Sequence, residues 1–338
     1  MIVYSVGPRT EVKEVSGVKL QYIRPLTPFP WRHLEFQIRA ISYMRTLSNG
    51  GDIAYFHGQP EGGLLSHFLA AKKFLWYDFY QFRGCNIGFL YHFYGHLLKQ
   101  FDLLLAVSNY CKYESQGFWK LPPEKVEVVY NGVSLEQFHP DEELGLRMRR
   151  KFGISKMVVL YVGRVCRQKG SDVLIEAMQY LGSKREDVQL VVAGPIAQFG
   201  NIIDRERWVE RIREVGGIYL GPIEENEISA IYNMADVFVI PTREFEMFGM
   251  AAIEAQACGK PVVSSDHGGL MESVPEACGG RFQVGDSEML ANKVAHLLSD
   301  SNLYQRCSHN AFLNASTYSW ENICIKLEEV YRRRCAKL

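Results

Sequence analysis

No stretch of this sequence approaches the roughly 20 consecutive apolar residues that a membrane-spanning helix needs, so none is expected. Charge of one sign is not in excess either: Lys plus Arg and Asp plus Glu both number 38. A formal net charge of zero argues against nucleic-acid binding driven by bulk electrostatics. The opening residues, MIVYSVGPRTEVKE, lack the basic-then-apolar order of a signal peptide. The eight cysteines contain no CxxC pair and do not form the pattern of a disulfide framework. They read as free cytosolic thiols, most of them filling the core. The segment GPIAQFG is not a GxGxxG, so a dehydrogenase has no fingerprint here. Internal repeats and low-complexity segments are also lacking.

What is present is an ordinary globular composition, 47% hydrophobic over 338 residues, long enough for two domains. In the second half, strand-like and helix-like segments alternate. MVVLYVG (157–163), VQLVVAG (188–194), IYLG (218–221), VFVIP (237–241), PVVSS (261–265) and GGRF (279–282) read as strands. SDVLIEAMQYL (171–181) puts Val173, Leu174, Ala177, Met178 and Leu181 on one helical face, with Ser171 as its N-cap. Helices are expected at 224–236 and from about 249. Apolar strands without alternation, separated by helices, predict a parallel sheet covered on both faces. Such a domain binds ligands at the carboxyl ends of its strands.

The first half is less regular. IVYSVG, DIAYFHG, KFLWYDF and DLLLAVS read as four strands, with helical stretches near 32–48 and 86–100. EVVYNGVSLEQFHP (127–140) is the candidate inter-domain linker. SWENICIKLEEVYRRR (319–334) is an amphipathic terminal helix capped by Ser319.

Two stretches carry chemistry. In VGRVCRQKG (162–170) a strand ends at Gly163, and Arg164 and Lys169 bracket the loop that follows. Arg offers a planar fork for phosphate oxygens and Lys a mobile point charge; two solvated loop cations is the bland alternative. In EFEMFGMAAIEAQACGKPVV (244–263), Phe248-Gly249-Met250 leads from a strand into a helix. The amides there would face an anion, and Gly249 would let the backbone approach it. Glu254 then lies about 9 Å further along the helix axis, and Glu246 stays before the turn. An extended ligand could meet Glu246, then amides, then Glu254, which suits sugar, diphosphate and ribose in that order. The bland readings are a helix-dipole partner for Glu246 and a solvated face for Glu254. The alanines around Glu254 make an exposed face a poor fit. A glycoside hydrolase using the two glutamates as a carboxylate pair is a further reading, but it leaves Arg164 and Lys169 without a task.

The order of these parts is more specific than either alone: Gly-Arg, four residues, Lys-Gly, then far downstream Glu, seven residues, Glu. From about residue 127 onward the chain resembles the retaining glycosyltransferases of family four. The segments VVYNGVSLEQF, LYVGRVCRQKGSDVLIEAM, LVVAGP, YLGPIEENEISAIYNMADVFVIPT and EMFGMAAIEAQACGKPVVSSDHGGLMESV carry the likeness. The resemblance implies a GT-B fold, two Rossmann-like doubly wound domains facing a central cleft. Residues 1–135 would bind the acceptor and 136–320 the nucleotide sugar. Residues 321–338 would form a helix returning towards the first domain. It further implies that Arg164 and Lys169 bind the donor diphosphate, beside Gly163. Glu246 would contact the donor sugar, and Glu254 the ribose. Phe248, Gly249, Met250 and Ala251 would hold sugar and phosphates through the backbone. Ile223 matches the place where the base is read, and Asn131 and Gly132 the hinge. His57 and Ser108 match the ends of two first-domain strands.

The departures are informative. The usual first strand and glycine-rich loop are not recognisable, and Gly62-Gly63 falls too late to replace them. Tyr77-Asp78 stands where the family places a histidine. The expected activity is transfer of a hexose, from UDP-glucose or UDP-N-acetylglucosamine, to a sugar or glycoconjugate acceptor, as in polysaccharide biosynthesis. The alternative is a catalytically degenerate partner subunit that binds nucleotide sugar. No metal or cofactor is expected, and the nucleotide sugar is a substrate. His92 and His96 share a spacing with zinc ligand pairs, but lack the glutamate that would follow. The expected setting is cytoplasmic. The aromatics from Phe74 to Phe82 and the run Arg332–Arg334 leave contact with the inner membrane face open.

Overall fold

Strands form where the sequence runs apolar and β-branched, and their pairing decides where a ligand can sit. The computed structural model describes residues 2–6, 10–15, 17–23, 26, 35, 38–40, 42, 54–57, 74–77, 95–183, 185–197, 204–244 and 246–335. Expectations for Gly62-Gly63, for Asp78, for His92 and for the aromatics beyond Tyr77 lie outside these residues, as do most of the helical stretches near 32–48 and 86–94. Contacts divide the chain into two units, Met1–Val107 with Lys112–Val128, and Ser108–Cys111 with Val129–Leu338.

The first unit holds two sheets. One has three strands, β1 (Ile2–Val6), β2 (Glu11–Val15) and β3 (Val18–Ile23), in the order β1-β3-β2. β2 and β3 form an antiparallel hairpin closed at Val15 and Val18, while β1 runs parallel to β3. The other sheet is parallel throughout: β4 (Ala54–His57), β5 (Phe74–Tyr77), β6 (Leu103–Ala106) and β7 (Val126–Val128), in that order. His57 ends β4 in register with Tyr77 of β5. Leu97, Leu98, Phe101 and the whole of β6 are buried. The hairpin is absent from the sequence expectation, which followed apolar runs. VKLQYI alternates polar with apolar, EVKEV is mostly polar, and Ser16-Gly17 lies between them, the pattern of a half-exposed hairpin.

The second unit contains a six-stranded parallel sheet. Its strands are β8 (Met157–Val162), β9 (Val188–Ala193), β10 (Ile218–Gly221), β11 (Val237–Ile240), β12 (Val262–Ser265) and β13 (Gly279–Phe282). Their order is β10-β9-β8-β11-β12-β13. All four residues of β11 and of β12 are buried, as expected of central parallel strands covered on both faces. The chain starts at β8, steps outward through β9 to β10, then returns to the far side of β8 for β11 and winds the other way. β8 and β11 are therefore the adjacent strands at which the winding reverses. Crevices open at the carboxyl ends of such a pair, because the two following connections leave in opposite directions.

Helices separate the strands: α1 (Glu142–Phe152), α2 (Ser171–Gly182), α3 (Arg205–Glu214), α4 (Ile228–Asn233), α5 (Met250–Ala257), α6 (Leu270–Ser273), α7 (Ser287–Ser299), α8 (Ser301–Thr317) and α9 (Trp320–Cys335). Several are started by a preceding aspartate. Asp141, Asp286 and Asp300 each accept a bond from the amide three residues on. Ser171 behaves differently from its expected N-cap role. It is the first helical residue, Gly170 precedes it as the cap, and its hydroxyl accepts from the Cys166 amide instead. The segment around Asn131-Gly132 is tied to the start of α9. Val133 N donates to the Tyr318 carbonyl and Trp320 N to the Val133 carbonyl, with the Trp320 indole against Gly132. Ser319 keeps its expected place before that helix, its hydroxyl accepting from Asn322 N. No described helix is long and apolar enough to cross a membrane. Cys111, Cys166, Cys258, Cys278 and Cys307 are buried thiols, and Cys324 is exposed.

Candidate functional site

The loops after β8 and β11 meet. After β8 the chain passes Gly163 and Arg164, makes one turn of 3-10 helix at Arg167–Lys169, and enters α2 through Gly170. Gly170 has φ +71, and a Cβ there would overlap the Pro241 carbonyl oxygen. Only glycine allows that conformation and that approach without strain. Arg243 N and Glu244 N both donate to the Gln168 carbonyl, at 3.0 and 3.3 Å. The β11 loop is thus hydrogen-bonded along the edge of the β8 loop.

This contact brings two of the expected residues together. Lys169 Nζ lies 2.7 Å from Glu246 Oε2. Both side chains are largely withdrawn from solvent, at 24% and 17% exposure, so their attraction is less screened than that of a surface pair. Glu246 in turn sits at the tip of α5. The nearest contacts of a Cβ built on Gly249 would include Glu246 Cγ at 3.7 Å. Gly249 has φ +90 and precedes Met250, the first residue of α5, one position later than the sequence predicts. The first amides of a helix have no partner within it, and with the helix dipole they favour an anion in front. A cation, a carboxylate and a helix tip therefore meet at the carboxyl ends of β8 and β11.

The remaining expected residues fall around this point. The Arg164 carbonyl accepts from the Tyr161 hydroxyl at 2.7 Å, which fixes the backbone from which the guanidinium departs. Burial holds the Tyr161 phenol far above its ordinary range, so it stays a donor; the Glu246 carboxylate adds to that and Arg164 opposes it. Phe248 is buried, its ring centroid 5.7 Å from that of Tyr130 and 5.2 Å from that of Tyr318. Met250 and Ala251 open α5 and are partly exposed. Glu254, four residues beyond Met250, accepts a 2.7 Å bond from the Tyr232 hydroxyl. Burial raises the Glu254 carboxyl above its usual range, while the Tyr232 bond pulls the other way. Ile223 lies half-exposed in the loop after β10, two strands from β8. Ser108 is fully buried, and its hydroxyl accepts from Cys111 N, capping the helix Asn109–Trp119. Of His57 the structure defines the strand register and nothing of the side chain.

Several residues of this region escaped the sequence reading. Asp172 and Arg243 form a two-pronged ion pair beneath the meeting loops. Gly269 N donates to the Glu246 carbonyl at 2.7 Å, and Ser273 Oγ to the Phe248 carbonyl. Glu272 accepts from Asn109 N, Asn109 Nδ2, Tyr110 N and the Tyr130 hydroxyl at 2.8–3.1 Å. Burial, aided by the Glu272 carboxylate, pushes the Tyr130 phenol up to about 12. The glycine pair in HGGLMES is the local signal for the 268–273 turn. The contacts of Asp172, Arg243 and Tyr232 span 22 to 71 residues and leave no local trace.

A doubly wound parallel domain with charged side chains gathered at its reversal point is the class defined by this architecture. The comparisons narrow it. Residues 147–313 match the family described as glycosyl transferases group 1, and residues 2–137 match glycosyltransferase family 4. The chain belongs to the family-four glycosyltransferases and has the GT-B fold. It is 36% identical over 220 residues to a D-inositol 3-phosphate glycosyltransferase of Corynebacterium urealyticum, covering 62% of this chain and 51% of that protein. It is 30% identical over 217 residues to a lipopolysaccharide 1,2-N-acetylglucosaminetransferase of Salmonella typhimurium, covering 62% and 57%. The chain thus spans little more than half the length of these relatives. Among solved structures, sucrose-phosphate synthase from Thermosynechococcus elongatus superposes with a TM-score of 0.82 at 21% identity, over 100% of this chain and 89% of that one. Anabaena HepE in complex with UDP and glucose gives 0.78 at 20% identity, over 93% and 86%.

Proposed function

We propose that this chain transfers a hexose from a nucleoside diphosphate sugar to a sugar or glycoconjugate acceptor, with retention of anomeric configuration. The donor we favour is UDP-glucose or UDP-N-acetylglucosamine. The observation that carries this reading is the Lys169–Glu246 pair at the tip of α5, on the two strands where the winding reverses. The solved neighbour holding UDP and glucose supports the choice of base and sugar.

Breaking the bond from the anomeric carbon to the diphosphate oxygen leaves negative charge on the diphosphate and positive charge on the sugar. Lys169, Arg164 and the amides at Gly249 and Met250 would oppose the first. They are fixed before the charge develops, which is where electrostatic stabilisation is most effective. Glu246 would orient the sugar and support its cationic character. The acceptor oxygen would attack the same face that the diphosphate leaves, and its proton would pass to the departing diphosphate oxygen. Glu254 would accept from the ribose hydroxyls. No metal is needed in this scheme, because two cations and a helix end already face the anion. The buried thiols fit a reducing, cytoplasmic setting.

Lys169 and Glu246 satisfy each other. A diphosphate would draw Lys169 away and leave the Glu246 carboxylate for the sugar. The test is incubation with UDP-glucose, UDP-N-acetylglucosamine and GDP-mannose. Release of nucleoside diphosphate, stimulated by an acceptor, supports transfer. Nucleotide binding with no turnover over a range of acceptors supports the partner-subunit alternative. Cleavage of an aryl glycoside without nucleotide would overturn both.

A further inference from the structure

We infer that Asp172 and Arg243 are a positioning pair that sets the distance between Lys169 and Glu246. Neither residue is assigned a role by the family resemblance. Asp172 lies in the first turn of α2 and is 8% exposed. Arg243 follows β11 and is partly buried. Arg243 Nε donates to Asp172 Oδ1 at 3.2 Å and Nη2 to Oδ2 at 3.0 Å. Two parallel bonds fix the plane of the guanidinium as well as its position, which a single contact would not.

The geometry around the pair gives it this task. Lys169 lies between Gln168 and Asp172 in the chain, and both flanks are fastened to Arg243. Its amide donates to the Gln168 carbonyl, and its guanidinium holds the Asp172 carboxylate. Glu246 lies three residues beyond Arg243 on the same loop. Thr242 Oγ1 donates to the Glu244 carbonyl at 2.8 Å, which ties the residues on either side of Arg243 together. The loop that carries Lys169 is therefore pinned to Arg243 on both sides of the lysine, and Glu246 follows Arg243 three residues later. On its other side the guanidinium faces the loop after β13, since a Cβ on Gly285 would lie 3.0 Å from Nη1. Arg243 is spent on a carboxylate and so acts through Lys169 and Glu246 rather than on an anion itself. Arg167 also approaches Asp172, at 3.7 Å, but with 78% exposure that contact adds little.

The kinetic arm of the test rests on the transfer reading above; a second arm does not. Asp172→Asn keeps the shape and removes the charge, and Arg243→Lys keeps the charge and removes the fork. In both variants we expect kcat with UDP-glucose to fall about 10- to 100-fold, the range of a misplaced but intact catalytic group. UDP affinity should stay within about threefold, because Lys169 and Arg164 remain. In a Glu246→Gln background, Asp172→Asn should cause little further loss, since the group it places is already gone. The second arm needs no turnover. The acetylation rate of Lys169 by an activated ester, read by mass spectrometry against exposed lysines, should rise severalfold in Asp172→Asn as the pair with Glu246 loosens. Should Asp172→Asn fold poorly, Arg243→Lys carries both arms. An unchanged Lys169 labelling rate in a folded variant overturns the inference whatever the activity. Wild-type turnover with an undiminished kcat in both variants overturns it too. A wild-type protein without turnover, but with increased Lys169 labelling in the variants, sinks the transfer reading and leaves the positioning pair standing.

Discussion

The two strands at the reversal point, β8 and β11, run side by side into a loop and then a helix, yet the two loops have opposite chemistry. The β8 loop supplies Arg164 and Lys169, and the β11 loop supplies Glu246 with the tip of α5 behind it. Each would be a poor site alone. Two cations on a flexible loop are well served by water. A carboxylate facing a helix tip is already satisfied by the dipole. Brought to 2.7 Å, Lys169 and Glu246 offset each other's charge. On the proposed reading, an anionic donor would compete with Glu246 for Lys169. The difference between the loops would then also divide the work, with diphosphate binding on one loop and orientation of the reacting sugar on the other.

That division can be broken one loop at a time. The largest effect is expected for Arg164→Ala combined with Lys169→Ala. Charge-assisted bonds to phosphate are worth about 1.5–3 kcal/mol each, so UDP affinity should fall by roughly 10² to 10⁴-fold. Isothermal titration with UDP reads this directly, and an undiminished affinity would remove the diphosphate from this loop. Glu246→Gln attacks the other loop. Turnover should drop by about 10²-fold, the size found for removal of one fixed electrostatic partner. UDP affinity should hold or improve, because Lys169 loses its competitor. A parallel loss of affinity and turnover would show that the two loops do not divide the work.

Gly170→Ala tests the contact itself. The methyl group meets the Pro241 carbonyl oxygen, and the residue must keep φ +71. Strain of this kind costs about 1–3 kcal/mol before the clash is counted. A fall of at least about 2 kcal/mol in unfolding free energy, read by chemical denaturation, is expected. Gly182→Ala is the control, because a Cβ there meets nothing within 4 Å. Equal stabilities for the two variants would mean that the loops are not in rigid contact.

How legible was this in the sequence? The six strands of the second unit's sheet read directly, because buried parallel strands are continuous apolar runs such as VVLYV and VFVI. The polar elements did not. In the hairpin Glu11–Ile23 one strand is mostly polar and the other alternates, and α1 (EELGLRMRRKF) is charged along most of its length, although Asp141 and Gly153 mark its two ends. Arg164 and Lys169 stood out because they bracket a loop at the end of an apolar strand, Glu246 because it precedes the turn into a helix, and Glu254 because alanines surround it. Asp172 and Arg243 look like ordinary loop and helix-surface charges, and only the sheet order brings them together. Ser171 shows the converse error. A serine before a helical run reads as a cap, yet Gly170 takes that place because the chain must pass over Pro241.

The smallest effect concerns the second glutamate, and it sharpens the contrast within the β11 connection. Glu246 is held by a cation, whereas Glu254 is held by the neutral Tyr232 hydroxyl in a buried setting. Burial raises the Glu254 carboxyl, so the folded state takes up its proton at a higher pH than the unfolded chain does. Stability from this group is then present below the unfolded value and declines as pH rises through the raised folded value. The charged form of Glu254 is therefore a small burden on the fold. Glu254→Gln keeps an acceptor for Tyr232 and removes the charge. It should therefore raise Tm slightly at pH 7, with the gain shrinking as the pH is lowered through the carboxylate range. If ribose is its ligand, the same variant should weaken uridine and UDP by a similar factor, since the contact does not involve phosphate. A variant whose Tm advantage grows on acidification would show that the charge of Glu254 is compensated by a group other than Tyr232. A loss confined to UDP would move Glu254 from the ribose to the diphosphate.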